Sequence, residues 1–259
     1  MKLTELKLRS LMKRLALITA IMTATAAGLH AGTVPTASMQ LTGVGDSVTL
    51  GNVYVDPYTA TVGGVANTSV ICDDWSNDTY YNESWTAQVM SATTVGNSTY
   101  GTPMFGNNQS LYNEMAWLGA QLLANPTNAT AQTEISFAMW DLSYGINGNT
   151  QTPGPLTYLS QNQGSAGQCK NQTVSCYQGT LNWITEAKGE GNYNSAGWKI
   201  YNPVPGTQNK GYGTPQEFMT YTPQAAPEAS ETAIFAGDLL LFGVAVLVLR
   251  RRGLLAVNR

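Results

Sequence analysis

Three cysteines and a scatter of carboxylates carry most of the reactive chemistry in this 259-residue chain. The single histidine, His30, sits near the N-terminus, so imidazole catalysis and His-ligated metals have no donors in the remainder. Cys169 and Cys176 are separated by six residues, a spacing that closes a short disulfide loop in an oxidising compartment. Such a bridge would pin a polar loop to the helix that follows. Cys72 is left over, either as a small buried hydrophobe at a strand end or as a free, reactive thiol. The stretch Asp73, Asp74, Ser76, Asp78 and Glu83 offers oxygen ligands of the kind Ca²⁺ takes, with Asp74, Ser76 and Asp78 as the candidate set. It lacks the turn glycine and closing carboxylate of an EF-hand loop, and the expectation is a solvated acidic loop. Sugar hydrolysis would need two acids flanking a glycosidic bond. Asp73, Asp74, Glu114, Glu134 and Asp141 are the available acids, and their spacing does not pair them. With no nucleophile elbow, phosphate loop or metal-ligand spacing, the expectation is a non-catalytic protein without a cofactor, and a glycan-active enzyme is the alternative. Trp75, Trp85, Tyr80 and Tyr81 beside polar loops suit either sugar stacking or core packing.

The elements that must position these residues read as mixed. Val48-Thr49-Leu50 and Val53-Tyr54-Val55 flank Gly51-Asn52, a hairpin signal. Val70-Ile71-Cys72 and Trp85 to Val89 read as strands on either side of the acidic loop. The period then changes to helical. Ser110 is placed to cap a helix carrying Leu111, Met115, Leu118 and Leu122, stopped by Asn125-Pro126. A second helix runs from Ala129 to Tyr144 and is closed by Gly145, and a third covers Thr180 to Lys188. Residues 148–168 form a polar loop, and strand-like sequence returns at Trp198 to Tyr201 and Glu217 to Tyr221. Trp117 and Trp140 lie within amphipathic helices and are expected in the core. Strands, then helices, then strands predict an α+β fold: a β-rich sandwich or barrel-like domain with about three short helices, plus a C-terminal transmembrane helix.

Charge is segregated to the ends. Between Gly32 and Ala225 the only basic residues are Lys170, Lys188, Lys199 and Lys210, against twelve carboxylates, and there is no Arg. That balance argues against nucleic-acid binding, which requires phosphate neutralisation. Residues 1–31 have the basic, apolar and small-residue order of a secretory signal, ending near Ala31. Residues 32–222 form the exported domain and 223–231 a linker. Thr232 to Leu249 would make a helix of about 27 Å, enough to span a bilayer. Its eleven Ile, Leu, Phe and Val residues offset the single charge of Asp238. Residues 250–259, opening with Arg250, Arg251 and Arg252, are a cytoplasmic basic tail by the positive-inside rule. The expected place is the cell envelope, cell surface or extracellular matrix, initially held by the C-terminal helix.

The order Pro227-Glu228-Ala229, apolar helix, arginine cluster resembles the PEP-CTERM sorting signal of exosortase-processed bacterial surface proteins. It departs from that pattern at Ala229, where a second Pro is usual, and at Asp238. The resemblance implies a membrane, an exosortase-type sorting protease and an extracellular polysaccharide as partners. Ile71-Cys72-Asp73-Asp74-Trp75, Tyr112-x-x-x-Ala116-Trp117-Leu118 and Ala138-Met139-Trp140-Asp141-Leu142 together resemble a domain of other PEP-CTERM surface proteins. More distantly, they are similar to the thioester domains of bacterial surface adhesins. Those domains join a cysteine near a strand end to a glutamine four residues before a helical tryptophan. Cys72 and Trp140 match, but Ser136 stands where the glutamine would be, and a hydroxyl supplies no acyl carbon. Gln132, one turn earlier, would serve only in a shifted register. The resemblance implies an adhesin-type binding module.

Overall fold

The computed structural model describes residues 34–45, 48–95, 101–146, 148–164, 167–170, 172–211 and 213–223. The expected export signal, most of the expected linker, the candidate transmembrane helix and the candidate sorting motif (Pro227, Glu228, Ala229, Arg250, Arg251, Arg252) lie outside them. Among the described residues no helix is long and apolar enough to cross a membrane.

Six strands close an antiparallel barrel: β1 (Thr36–Gly43), β4 (Tyr58–Val62), β5 (Val65–Cys72), β6 (Ser84–Ser91), β7 (Trp198–Pro203) and β8 (Phe218–Tyr221). Their order around the barrel is β1-β4-β5-β8-β7-β6, so no strand of the six is left with an unpaired edge. The period-2 alternation sorts each strand's side chains between two cores. Met39, Leu41, Ala60, Val62, Val70, Cys72, Phe218, Tyr201, Trp85 and Ala87 come from all six strands and fill the interior. Ile71, Met90, Ile200 and Met219 face the other way, onto the helices.

The Gly51-Asn52 signal holds: β2 (Thr49–Leu50) and β3 (Val53–Tyr54) form a separate two-stranded ribbon. Gly51 has φ +61°, and a Cβ there would lie 2.6 Å from Tyr158 Oη, so only glycine fits this turn.

Among the described residues there are four α-helices where about three were expected: α1 (Gln109–Ala124), α2 (Ala129–Ser143), α3 (Pro155–Asn162) and α4 (Cys176–Ala187). Helix α3 occupies the middle of the segment read as a polar loop. Its apolar content is two leucines, Leu156 and Leu159, and Pro155 opens it at the first turn, where its missing N–H costs nothing. Helix α1 is capped by Asn108, whose side chain accepts from Leu111 N–H, and not by Ser110, which stands inside the first turn. Asn128 caps α2 in the same way. Helix α4 begins four residues earlier than the periodicity suggested, because Ser175 caps it at Gln178 N–H. Its first residue, Cys176, is bridged to Cys169 with a Cα–Cα distance of 5.4 Å, so the expected disulfide is present. Helices α1 and α2 place Leu111, Met115, Leu118, Ile135, Ala138 and Met139 in the second core. Trp140 is buried as expected, whereas Trp117 is only half-buried, its ring 5.9 Å from that of Trp183.

Candidate functional site

The site is built where β5 leaves the barrel. Cys72 pairs in register with Phe218 of β8, and the chain then turns through Asp73, Asp74 and Trp75. Helix α2 lies against this turn and fixes it with two side chains three residues apart. Trp140 Nε1 donates to Cys72 O at 3.0 Å, and Ser143 Oγ donates to Asp73 O at 3.0 Å. The third carbonyl, Asp74 O, accepts from Gln216 Nε2 at 2.9 Å and from the Cys72 thiol at 3.2 Å. Burial, then the nearby Asp74 and Asp73 carboxyls, hold the Cys72 thiol well above its ordinary range, which keeps it protonated at neutral pH.

Ser136, one turn before Trp140, donates its hydroxyl to Val55 O at 2.6 Å and ties α2 to the end of the ribbon. Gln132 lies two turns from Trp140, about 12 Å along the helix axis. Its Nε2 donates to Pro126 O at 3.0 Å. The cysteine and tryptophan of the thioester pattern are therefore brought together, while the serine and glutamine are engaged with other backbone carbonyls.

The acidic stretch is not a solvated loop. Asp73, Asp74 and Glu83 are all buried, and only Asp78 is exposed. Asp74 serves the turn itself, accepting from Ser76 N–H at 2.8 Å and from Asn77 Nδ2 at 2.6 Å. The Ser76 hydroxyl bonds to Asn149 Oδ1. Of the candidate Ca²⁺ set, only Asp78 keeps a carboxylate free of these bonds. Among the described residues no three acidic, thiol or imidazole side chains converge as a cation site.

Asp73 meets a partner that sequence reasoning placed simply in a strand: Glu217, also fully buried. Glu217 Oε1 accepts from Tyr112 Oη at 2.6 Å and Oε2 from Met104 N–H at 2.8 Å. Among the described residues no other side chain donates to the Asp73 carboxyl; its neighbour is the Glu217 carboxyl. Two adjacent buried carboxyls cannot both ionise cheaply, so the pair retains one proton between them. Burial is the main cause of the rise in both, pushing Glu217 up to about 7 and Asp73 well above its usual range. Tyr112 is raised too, by burial and then by Glu217.

Trp75 faces away from this pair into an aromatic group. Its ring lies 5.3 Å from Trp140, 5.4 Å from Tyr158 and 5.7 Å from Phe137, and its Nε1 donates to Pro153 O at 3.0 Å. Tyr158 comes from α3, and its hydroxyl accepts Asn52 N–H at 3.1 Å, which docks the helix on the ribbon. A cavity of about 140 Å³ opens among Tyr58, Trp75, Trp140 and Tyr158, with Asp74, Asp78, Gln151 and Gln216 at its polar edge. Trp75 was anticipated beside a polar loop. Trp85, anticipated with it, sits in the barrel interior against Phe218 at 5.8 Å. Tyr80 and Tyr81 are exposed and do not line the cavity. Tyr158 was missed along with its helix; the Gly154-Pro155 start signal was the available clue. Two further helix acids stay apart from this site: Glu134 accepts from Trp183 Nε1 at 3.2 Å, and Glu114 from Ser110 Oγ at 3.1 Å.

No protein-family model matches this sequence, and no curated protein matches it. Among solved structures, the N-terminal domain of the Streptococcus pyogenes pilus tip adhesin Cpa superposes with a TM-score of 0.40 at 13% identity. The alignment covers 76% of this chain and 96% of that one. A likeness at that level carries no inference about family, ligand or chemistry.

Proposed function

We propose that this chain is an exported, non-catalytic binding module of the adhesin type, working at the cell envelope or in its extracellular polymer. The observation that carries the reading is the aromatic-walled cavity over the Cys72–Trp75 turn. It joins ring faces to a few polar groups, the composition of a small-ligand site. The disulfide and the acidic, Arg-free middle of the chain fit an exported protein. In this reading the N-terminal segment is a leader, and the tail from Pro227 to Arg252 directs sorting by an exosortase-type protease or anchors the chain in the membrane.

The non-catalytic part of the reading draws its support from the same site. Asp73 and Glu217 are sealed from solvent, so they cannot flank a glycosidic bond; their role is to lock β5, β8 and α1 together. Ser136, standing at the position of the thioester glutamine, gives its hydroxyl to Val55 O and supplies no acyl carbon. The test is co-sedimentation of the chain, recovered from its producing cells, with the extracellular polysaccharide of those cells. Saturable co-sedimentation that Tyr158→Ala abolishes, with no release of reducing ends, supports the reading. Equal sedimentation of the variant, or steady turnover of the polymer, overturns it.

A further inference from the structure

We infer that the cavity beside Trp75 is a site for an organic ammonium group, the proposal resting on the binding reading above and naming its ligand chemistry. Three features of the cavity converge. The walls are aromatic: Tyr58, Trp75, Trp140 and Tyr158 come from β4, the Asp73–Trp75 turn, α2 and α3. Ring faces carry negative potential and attract cations, most strongly where water is thinned out. The polar edge holds two carboxyls, Asp74 and Asp78, and no basic side chain lines the space. None of the domain's lysines, Lys170, Lys188, Lys199 and Lys210, lines the space, so among the described residues no cation at the cavity neutralises that edge.

The division of labour between the two acids strengthens the case. Asp74 is committed to its own turn through Ser76 and Asn77, which holds its carboxyl in place at the cavity. Asp78 is exposed and makes no such bond, so its charge is available to a ligand. A volume of about 140 Å³ suits a substituted ammonium head and excludes a long chain from entering whole. The rings are held rigidly by Trp75 Nε1 on Pro153 O and by Tyr158 Oη on Asn52 N–H, so the walls are formed before a ligand arrives. An anionic polymer would meet only like charge here. Two sources can present the required chemistry: unacetylated amino sugars of a matrix polymer, or choline-type head groups of a surface.

The experiment is a tryptophan-fluorescence titration of the full chain in detergent micelles with choline chloride. Its control is 3,3-dimethylbutan-1-ol, which has the same shape without the charge. The expected result is a saturable change with choline, at least tenfold weaker affinity for the neutral alcohol, and at least fivefold weaker choline binding in Asp78→Asn, an exposed substitution that spares the fold. Glucosamine binding more tightly than choline assigns the site to amino sugars, and the reverse order to choline-type heads; both support the ammonium site. Equal affinity for the alcohol, no effect of Asp78→Asn, or no saturation overturns it. If choline and glucosamine fail while the polysaccharide still co-sediments in a Tyr158-dependent way, the ammonium site falls and the binding module stands.

Discussion

Replacing Glu217 by Gln tests the buried carboxyl pair through the pH dependence of stability. In the folded protein Glu217 titrates at about 7, against an ordinary value of 4.5. Between those two pH values the folded state keeps a proton that the unfolded chain has released. The unfolded state then binds fewer protons, so stability falls as pH rises; the contribution is intact below pH 4.5 and lost by pH 7. At about 1.4 kcal/mol per pH unit, the loss from this group is roughly 3 kcal/mol. Asp73, raised by the same burial and by Glu217, adds to it with the same sign. In Glu217→Gln the amide oxygen can accept Met104 N–H and the amide N–H groups can donate to Tyr112 Oη and Asp73. The Tyr112 hydroxyl loses its acceptor, which costs about 1 kcal/mol at pH 4.5. The variant is therefore expected to be less stable than the parent at pH 4.5 and more stable by about 2 kcal/mol at pH 8, the two profiles crossing near roughly pH 5.5. Glu114, Glu134 and Asp141 are also raised by burial, but they titrate in both proteins and cancel in the difference. Urea unfolding followed by tryptophan fluorescence from pH 4.5 to 8 gives both curves. Parallel profiles, with the variant weaker at every pH, would refute the shared proton.

Three further outcomes follow from the packing. Gly119→Ala brings a Cβ to 2.5 Å from the Trp198 ring, which is buried in the second core. The clash should outweigh the helix-propensity gain of about 1 kcal/mol and leave a net loss of roughly 1–2 kcal/mol in urea unfolding. Opening the disulfide with Cys169→Ser and Cys176→Ser together should cost about 2.5 kcal/mol by loop-closure entropy; an unchanged urea midpoint would contradict this. Cys72 should resist iodoacetamide in the native protein and react once in urea, since burial keeps it a thiol; rapid native alkylation would show an accessible thiolate.

Much of the frame was legible because its signals are local. Gly51-Asn52 between two β-rich triplets marks a turn whatever the rest of the chain does, and the 3.6-residue repeat of Leu111, Met115, Leu118 and Leu122 needs a buried face. The cysteine and tryptophan of the site were legible for the same reason: each ends or sits within a clear element. Helix α3 was obscured because two leucines among polar residues make a weak period, and the helix owes its place to Tyr158 and the ribbon. The acidic turn was misread for a deeper reason. Asp73 and Asp74 look solvated in a polar stretch, yet the turn is sealed by groups remote in the chain, such as Trp140, Ser143 and Gln216. Tyr112 and Glu217, 105 residues apart, meet only once the barrel has closed.

The account's central claim, an exported module that binds without covalent chemistry, is tested most directly by the intact mass of the chain isolated from the envelope fraction. The expected species begins near residue 32, lacks two hydrogens for the Cys169–Cys176 bridge, and is otherwise unmodified before and after methylamine. A full-length, reduced chain among cytosolic proteins would contradict export. A mass short by one ammonia that rises by one whole methylamine on treatment would contradict the unreactive Cys72.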